Sequence, residues 1–593
     1  MLKGGEFLVK KASPDEVFIP EEWTEEQLMI RDMVKDFCEQ EIIQPMRASG
    51  RELDASSDKD TIIALLDKSA ELGLCGLSIP QEYGGMDLDF NTGLLFAEAI
   101  STGFSFATTI GAHTSIGSLP IVYYGTDDQK TKYLPKIASA EYKASYALTE
   151  PGAGSDANSG KTKATPSEDG SHYLLNGQKM WITNGGFADI FIVFAKIEDD
   201  KNLSAFIVEK SFGGITLGEE EKKLGIKGSS TVQVFFTDCK VPSENLLAKR
   251  GDGFKIALNI LNSGRIKLSS GSIGGGKFAL SQAIIYANER KQFKKSIAEF
   301  GAIKFKLGEM ATKIFAAESA IYRTGKCIDE KEALAVSEGS SKSESKVIGL
   351  REYAIECAIL KVHCSEVLDY CVDETLQIYG GMGYSAEAGI EMGYRDARIT
   401  RIYEGTNEIN RMLSFGELMK RAFQEKQVDL VSAGKKIPKA YMKQLFSTRY
   451  TPGMEEEIIE NLKRLFIAVS GIAGQKLQLK MIDEQEIVMN LADVLAEVYV
   501  SESMLLRVQK LRNKNYDTDK MKVIEQMLQL HFYESIRRIR TALEHAIDSL
   551  PEDTKQKLQR KMVKRFARRY EVNPKELRRN IANYFIKQNG YNF

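Results

Sequence analysis

The stretch of the chain best equipped for chemistry is Gln377-Ile378-Tyr379-Gly380-Gly381-Met382-Gly383-Tyr384, followed by Arg395-Asp396-Ala397-Arg398 and then Ile402-Tyr403-Glu404-Gly405-Thr406-Asn407-Glu408-Ile409. Glu404 is a carboxylate set among aromatic and apolar neighbours and followed by a glycine. A carboxylate that loses part of its water has a raised pKa and can act as a base towards a carbon acid. The plainer alternative is an exposed glutamate at a turn, because most glutamates are surface residues. An α C–H beside a carbonyl is far too weakly acidic for a carboxylate in water, so such a site also needs donors that stabilise the enolate-like oxygen.

Other patterns invite readings that fail on inspection. Gly152-Ala153-Gly154-Ser155-Asp156-Ala157 has the letters of a dinucleotide loop, but residues 158–166 cannot supply the helix whose N-terminus would hold a pyrophosphate. The run from Gly271 to Lys277 is one residue from a Walker loop, yet Phe278 stands where a hydroxyl must reach Mg²⁺, and the preceding Arg265–Ser269 is helical in texture. Close helix packing through small residues explains it better. Cys357, Cys364 and Cys371 fall on one stripe of a helix and read as a buried apolar face. The cysteines form no C-x-x-C pair and the histidines no zinc spacing, so no metal is expected and a reducing compartment is.

The elements that must position these residues follow from periodicity. Thr24-Glu25-Glu26-Gln27 reads as a capping box, and helix-like texture continues to about Tyr142. Then the period changes. His172–Leu175, Asn176-Gly177 and Lys179–Thr183 read as a hairpin, and Phe191–Ala195, Ala205–Val208 and Val232–Phe236 as further strands. From Phe254 to about Gly416 long amphipathic segments point to an antiparallel bundle. Gly434–Lys439 reads as a connector, after which helices run from about Met454 almost to the end. The tail carries Lys555, Lys557, Arg560, Lys561, Lys564, Arg565, Arg568 and Arg569, either a basic face for membrane lipid or a partner, or a solvated helix face.

Composition narrows the function classes. With 43% hydrophobic and 27% charged residues in 593, the chain is an ordinary folded protein that needs no disulfide staples. Lys+Arg number 80 against 82 Asp+Glu, so no global field draws nucleic acid. The N-terminus, Met-Leu-Lys-Gly-Gly-Glu, has no apolar signal core, and no stretch approaches the ~18 apolar residues of a spanning helix. A soluble, cytoplasmic protein is expected.

Four segments, in order, resemble the signatures of the acyl-CoA dehydrogenase family: Tyr146 to Asp156, Trp181-Ile182-Thr183-Asn184-Gly185-Gly186, Arg290-Lys291-Gln292-Phe293, and the stretch around Glu404. They cover about residues 25 to 420, and the remaining helical part is similar to that of the very-long-chain branch. The resemblance implies an α+β, mainly helical, multidomain fold. Its parts are an N-terminal helical domain at 25–142, a middle β-barrel-like domain at 143–250, a C-terminal four-helix bundle at 251–420 and an additional all-α domain at 421–593.

The resemblance also implies noncovalent FAD, a fatty acyl-CoA substrate, a trans-2-enoyl-CoA product in fatty acid β-oxidation, and electron-transferring flavoprotein as acceptor. Glu404 matches the family's base. The thioester oxygen would be held by a flavin ribityl hydroxyl and the Glu404 N–H. Some relatives carry the base in the segment here reading Leu261-Asn262-Ser263-Gly264-Arg265; a glycine stands there, which leaves Glu404. Arg265 matches an arginine close to the base and thioester, with Ser155, Asn262 and Gly405 as further substrate contacts. Tyr146, Leu148, Thr149, Gly154 and Ser155, with Trp181, Ile182 and Thr183, match the segments that hold the isoalloxazine ring. Arg290, Gln292 and Phe293 match the segment that reaches the pyrophosphate, and Gln377, Gly380 and Gly381 complete the adenine end from a neighbouring subunit, which implies a homodimer. Thr406 and Glu408 sit where the family contacts the cofactor. Thr108 and Ala112 are small where medium-chain relatives carry larger polar residues, which favours long acyl chains, although ordinary helix packing explains them as well. Two alternatives stand beside this reading: an acyl-CoA oxidase that uses oxygen, and a non-catalytic flavin-binding assembly protein. The basic tail and Lys435–Phe446 suggest peripheral membrane contact.

Overall fold

The computed structural model describes residues 2–514, 516–551 and 556–593, so Lys555 of the basic tail lies outside the described residues. Thr24 caps the first long helix, α1 (Glu25–Cys38): its hydroxyl accepts the Gln27 N–H, and the Gln27 side chain accepts the Thr24 N–H. That is the capping box the spacing predicts. Helices α2 (Lys59–Glu71), α3 (Phe90–Ile100) and α4 (Asp127–Ala138) follow. Helix α3 is buried almost all round, because it lies between α1 and a long helix from later in the chain.

The middle of the chain is a sheet of eight strands: β1 (Ala144–Ala147), β2 (Lys163–Pro166), β3 (His172–Thr183), β4 (Ile190–Ile197), β5 (Ser204–Glu209), β6 (Ile215–Leu217), β7 (Thr231–Pro242) and β8 (Leu246–Leu247). The path runs β6-β7-β3-β2-β4-β5-β8, with β1 parallel to β4. Val193 and Phe206 from one half meet Val234 and Phe236 from the other in one core. The predicted hairpin at 172–183 is instead one continuous strand of 12 residues. Asn176-Gly177 marks a break in its register against β7, and the hairpin partner of β3 is β2. An Asn-Gly pair is a strong turn signal, but pairing on both sides holds the chain extended and turns the pair into a bulge.

Four helices then form the bundle: α5 (Gly253–Glu289), α6 (Gly301–Ser337), α7 (Ala354–Tyr379) and α8 (Asn407–Phe423). The glycine run lies inside α5. A Cβ at Gly274 would come 2.0 Å from the Glu98 carbonyl oxygen, so glycine there lets α3 and α5 meet backbone to backbone. Cys357, Cys364 and Cys371 are buried, unpaired thiols along α7, as the stripe predicts.

The predicted connector coincides with two short helices, Leu430–Lys435 and Ile437–Lys443. Beyond it come α9 (Glu455–Leu477), α10 (Gln485–Asn513), α11 (Thr518–Asp548), α12 (Gln556–Phe566) and α13 (Pro574–Gln588). Buried ions stitch this unit to the bundle. Arg507 on α10 reaches Glu318 on α6 (2.6 Å) and Glu21 (2.7 Å), and lies 3.9 Å from the Phe315 ring. Glu318 also binds Lys277 on α5, which pairs with Glu98 on α3 at 2.6 Å. Arg323 on α6 meets Glu502 on α10 at 3.0 Å, and Glu502 also takes Lys463 on α9. Each of these charges depends on the others for its counter-ion. In the basic tail, Arg568 turns inward over Tyr450 (3.6 Å) to Glu457, whereas Lys557, Lys561, Lys564 and Arg569 are exposed. Among the described residues no helix is long and apolar enough to cross a membrane.

Candidate active site

Glu404 sits on the turn between the short 3-10 helix Arg398–Arg401 and α8. Its φ is +59° and that of Gly405 is +81°, two successive left-handed residues. A non-glycine residue is strained there, and such strain persists only where the surroundings over-determine it. Here three side chains do so. Asn410 Nδ2 donates to the carbonyls of Glu404 (3.3 Å), Gly405 (2.7 Å) and Thr406 (3.1 Å). Lys361 Nζ, from α7, donates to the Gly405 carbonyl at 2.6 Å, and Arg265 Nε, from α5, to that of Glu404 at 3.3 Å. The Glu404 N–H has no partner among the described residues.

The carboxyl packs against α5 where glycine leaves room: a Cβ at Gly264 would lie 2.5 Å from Glu404 Oε2. Burial pushes the Glu404 carboxyl up to about 7, against the pull of Arg265 and then Lys361. Its Oε2 is buried without a hydrogen-bond partner, and so is the hydroxyl of Tyr146. Burial, and then the Glu404 charge, raise that phenol well above its ordinary value. Burial pulls the Lys361 ammonium down to about 8. Arg265 is fixed by Asn262, whose Oδ1 accepts from Nη1 at 2.7 Å. A partner-free carboxylate with a pKa near neutrality is suited to removing a proton from carbon.

A cavity of about 300 Å³ opens from Glu404 along α5. Gly264, Gly271, Gly275 and Ala279 form one wall, and Thr108, Ala112 and Ser115 another, with Tyr403 and Thr183 at its head. The sheet supplies the other side of the head. The register of β3 breaks between Lys179 and Ile182, which leaves Trp181 with φ +56° and 59% exposed, an indole outside the sheet core. Ile182 is buried beneath it. The loop from Leu148 to Ser155 is stapled to this strand: the Met180 N–H donates to the Thr149 carbonyl (2.9 Å), and buried Lys179 donates to the Leu148 carbonyl (3.1 Å) and to Glu150 (2.7 Å). Gly154 and Ser155 are exposed on that loop, and the Ser145 hydroxyl ties β1 to the Thr183 carbonyl at 2.6 Å. An uncovered indole, Thr183 at the head of the cavity and a free Glu404 N–H fit the flat, hydrogen-bonding ring and thioester oxygen that the family resemblance implies.

The remaining expected residues form a second cluster. Arg290, Gln292 and Phe293 lie at the far end of α5, about 39 Å from Gly264 at ~1.5 Å per residue. Gln292 pairs with Lys295 across a turn whose Phe293 and Lys294 both have positive φ, leaving Phe293 87% exposed. Gln377, Gly380 and Gly381 end α7 beside them, where Tyr379 stacks on Tyr286 at 3.9 Å. Within one chain, therefore, Tyr146, Thr183, Asn262, Arg265, Glu404 and Gly405 come together, with Trp181 exposed two residues before Thr183 on the same strand, and the Arg290 and Gln377 groups do not join them. The Thr406 hydroxyl is engaged as the cap of α8, accepting the Ile409 N–H, and Glu408 is exposed beside it. Lys361 and Asn410 were not anticipated. The signal for Lys361 was a lysine interrupting the apolar run Ile359-Leu360-Lys361-Val362; Asn410 carried none.

Comparison with known proteins agrees with this geometry. Family profiles match in succession: "Acyl-CoA dehydrogenase, N-terminal domain" over residues 24–141, "middle domain" over 145–239, "C-terminal domain" over 251–416, and a second profile described as "Acyl-CoA dehydrogenase, C-terminal domain" over 461–565. The "Probable acyl-CoA dehydrogenase" of Bacillus subtilis is 43% identical over 511 residues, 86% of this chain and 85% of its own length. The "Very long-chain specific acyl-CoA dehydrogenase, mitochondrial" of Mus musculus is 41% identical over 63% of this chain and 56% of its own. The solved structure "Acyl-CoA Dehydrogenase complexed with FAD from Bacillus anthracis" superposes with a TM-score of 0.95 at 40% identity, covering 100% of both chains.

Proposed function

The chain belongs to the acyl-CoA dehydrogenase family, and from that premise we propose that it binds FAD and oxidises long-chain fatty acyl-CoA to trans-2-enoyl-CoA, with electron-transferring flavoprotein as the acceptor. The observation that carries the proposal is the partner-free Glu404 carboxyl, raised to about 7 at the head of an apolar cavity. Glu404 removes the α-proton. Its free N–H is available to the thioester oxygen, where negative charge develops. Arg265 and Lys361 hold the turn so that carboxyl and N–H stay fixed relative to each other. Bound FAD supplies the acceptor for the β-hydrogen and its electron pair. Trp181, Thr183, Tyr146 and the Leu148–Ser155 loop are the groups that would hold the ring. Arg290 and Gln292, at the far end of α5, and Gln377, Gly380 and Gly381, at the end of α7 beside them, would serve the diphosphate and adenine of a second copy, which makes the functional unit a homodimer.

Acyl length is argued from the cavity wall. Along α5 the lining residues run from Gly264 to Gln282, about 27 Å of helix. An extended chain built from ~1.5 Å bonds advances about 1.25 Å per carbon, so that length accommodates about twenty carbons. Thr108 and Ala112 keep the facing wall open. Contact with a membrane surface is supported by exposed Val431, Met442 and Phe446 interleaved with exposed Lys435, Lys436, Lys439 and Lys443. Co-sedimentation with anionic vesicles at low salt tests it, and protein left in the supernatant disposes of it.

The central test is anaerobic flavin bleaching with a series from butyryl-CoA to stearoyl-CoA, followed by reoxidation with electron-transferring flavoprotein or with oxygen. Strongest bleaching with the long members and slow oxygen reoxidation are expected. No bleaching with any thioester would overturn the reading. Rapid peroxide release would assign an oxidase instead.

A further inference from the structure

The two walls of the acyl cavity change residue size at the same depth. Along α5 one helical stripe is small at Gly264, Gly271 and Gly275, and its next turn brings Phe278 to the lining. On the facing wall Ala112 and Thr108 are small, and one turn before Thr108 stands Phe104, at the start of the short helix Ser105–Gly111. The two rings meet edge to face, with centroids 5.7 Å apart and planes at 86°. Side chains from opposite walls therefore touch across the cavity. Both residues are only half-buried, and neither is packed into a hydrophobic core of the described residues. Phe104 also has a φ of +51° and a ψ of −129°, a conformation open to glycine and strained for any larger residue. Strain of this kind persists at ligand clamps, and with no core to hold the ring, the cavity is where it acts.

We propose that Phe104 and Phe278 form the floor of the acyl cavity and set the longest fatty chain the enzyme oxidises efficiently. This rests on the dehydrogenase reading above and adds to it the residues that fix chain length. Gly264 touches Glu404, and Phe278 lies fourteen residues further along α5, about 21 Å at ~1.5 Å per residue. Contact with the rings takes up about 4 Å of this depth and leaves about 17 Å. At ~1.25 Å per carbon that holds about fourteen carbons beyond the α-carbon, an acyl chain of about sixteen. The lining continues past the pair to Gln282 and Thr375. A longer chain reaches that space only by parting the rings, which forfeits their contact.

The test measures kcat/KM on the FAD-loaded enzyme for saturated acyl-CoAs from octanoyl-CoA to behenoyl-CoA. In the wild type the value should climb to palmitoyl-CoA and fall for eicosanoyl-CoA. Phe278→Ala and Phe104→Gly open the floor from opposite walls, and the second also places glycine where the backbone suits it. Each methylene that gains burial is worth about fourfold, so the ratio of eicosanoyl-CoA to palmitoyl-CoA should rise by about tenfold to a hundredfold in either variant. The ratio of octanoyl-CoA to palmitoyl-CoA should stay within about threefold of wild type, because neither chain passes the rings; a general loss of packing would not sort substrates by length. Wild-type enzyme that oxidises eicosanoyl-CoA as well as palmitoyl-CoA overturns the proposal without any variant, and leaves the dehydrogenase reading standing. An eicosanoyl-to-palmitoyl ratio unchanged in a flavin-retaining variant also overturns it. Failure of every thioester to bleach the flavin removes the underlying reading and the proposal together.

Discussion

Glu404→Gln keeps the shape of the side chain and removes its basicity, and two independent numbers follow from where the carboxyl sits. The first is kinetic. Loss of a positioned general base lowers the chemical step by about 10² to 10⁴, so single-turnover bleaching by palmitoyl-CoA should slow by that factor in protein that still binds flavin. In the wild type the active form is the carboxylate, and kcat/KM should rise with pH through a midpoint near 7 and then level off. The second is thermodynamic. Folded Glu404 keeps its proton up to about 7, whereas its ordinary value is 4.5. Between those values the folded state binds more protons than the unfolded one, so stability falls as pH rises. At about 1.4 kcal/mol per unit of displacement the loss reaches about 3 kcal/mol above pH 7, and it is absent below about pH 4. The Glu404→Gln protein escapes this loss, so it should be more stable than wild type by about 3 kcal/mol at pH 8, with the difference gone near pH 4. Stopped-flow reduction and urea unfolding at both pH values measure the two effects. Turnover within tenfold of wild type, a kinetic midpoint near 4.5, or equal stability at pH 8 would refute the argument.

Three further perturbations probe the supporting structure. Gly264→Ala places a methyl 2.5 Å from Glu404 Oε2; displacing the carboxyl should slow bleaching by about 10²-fold with flavin content retained, since misplacement by about 1 Å costs that much. Lys361→Met removes one of the two cations that hold the Glu404 carboxyl down and the bond to the Gly405 carbonyl, so the kinetic midpoint should move above 7 and urea unfolding should show a loss of about 1–3 kcal/mol. Arg507→Met strands Glu318 and Glu21 without their shared cation and should cost about 3–5 kcal/mol by the same measurement.

Much of the fold was legible because its signals are local. The Thr24 capping box, the change of period near residue 143 and the small residues of α5 each state their role within a few positions. The misread hairpin shows the limit of that logic: Asn176-Gly177 is a turn by local preference, and only the strands on either side, β2 and β7, keep it extended. In the site, Glu404 was legible through its flanking motif and Gly264 through the base it lacks. Lys361 and Asn410 were not, because each acts on backbone carbonyls of the Glu404 turn, which have no side-chain identity to match. The pairs joining α10 to α6 were invisible for a related reason: a buried Arg507 and a buried Glu318 look, letter by letter, like solvated positions on helices.

Those pairs bear on how the chain could ever become shorter. Cutting it after α8 would strip Glu318 and Arg323 of Arg507 and Glu502, and Lys277 and Glu98 would be left to balance a surplus acid at a newly wetted surface. The helical extension should therefore melt together with the body in one cooperative transition and resist excision by protease without loss of the whole. A trimmed descendant could keep its fold only with coordinated replacements at Glu98, Lys277, Glu318 and Arg323, so that an evolutionary loss of the last helices would leave its mark in the middle of the chain.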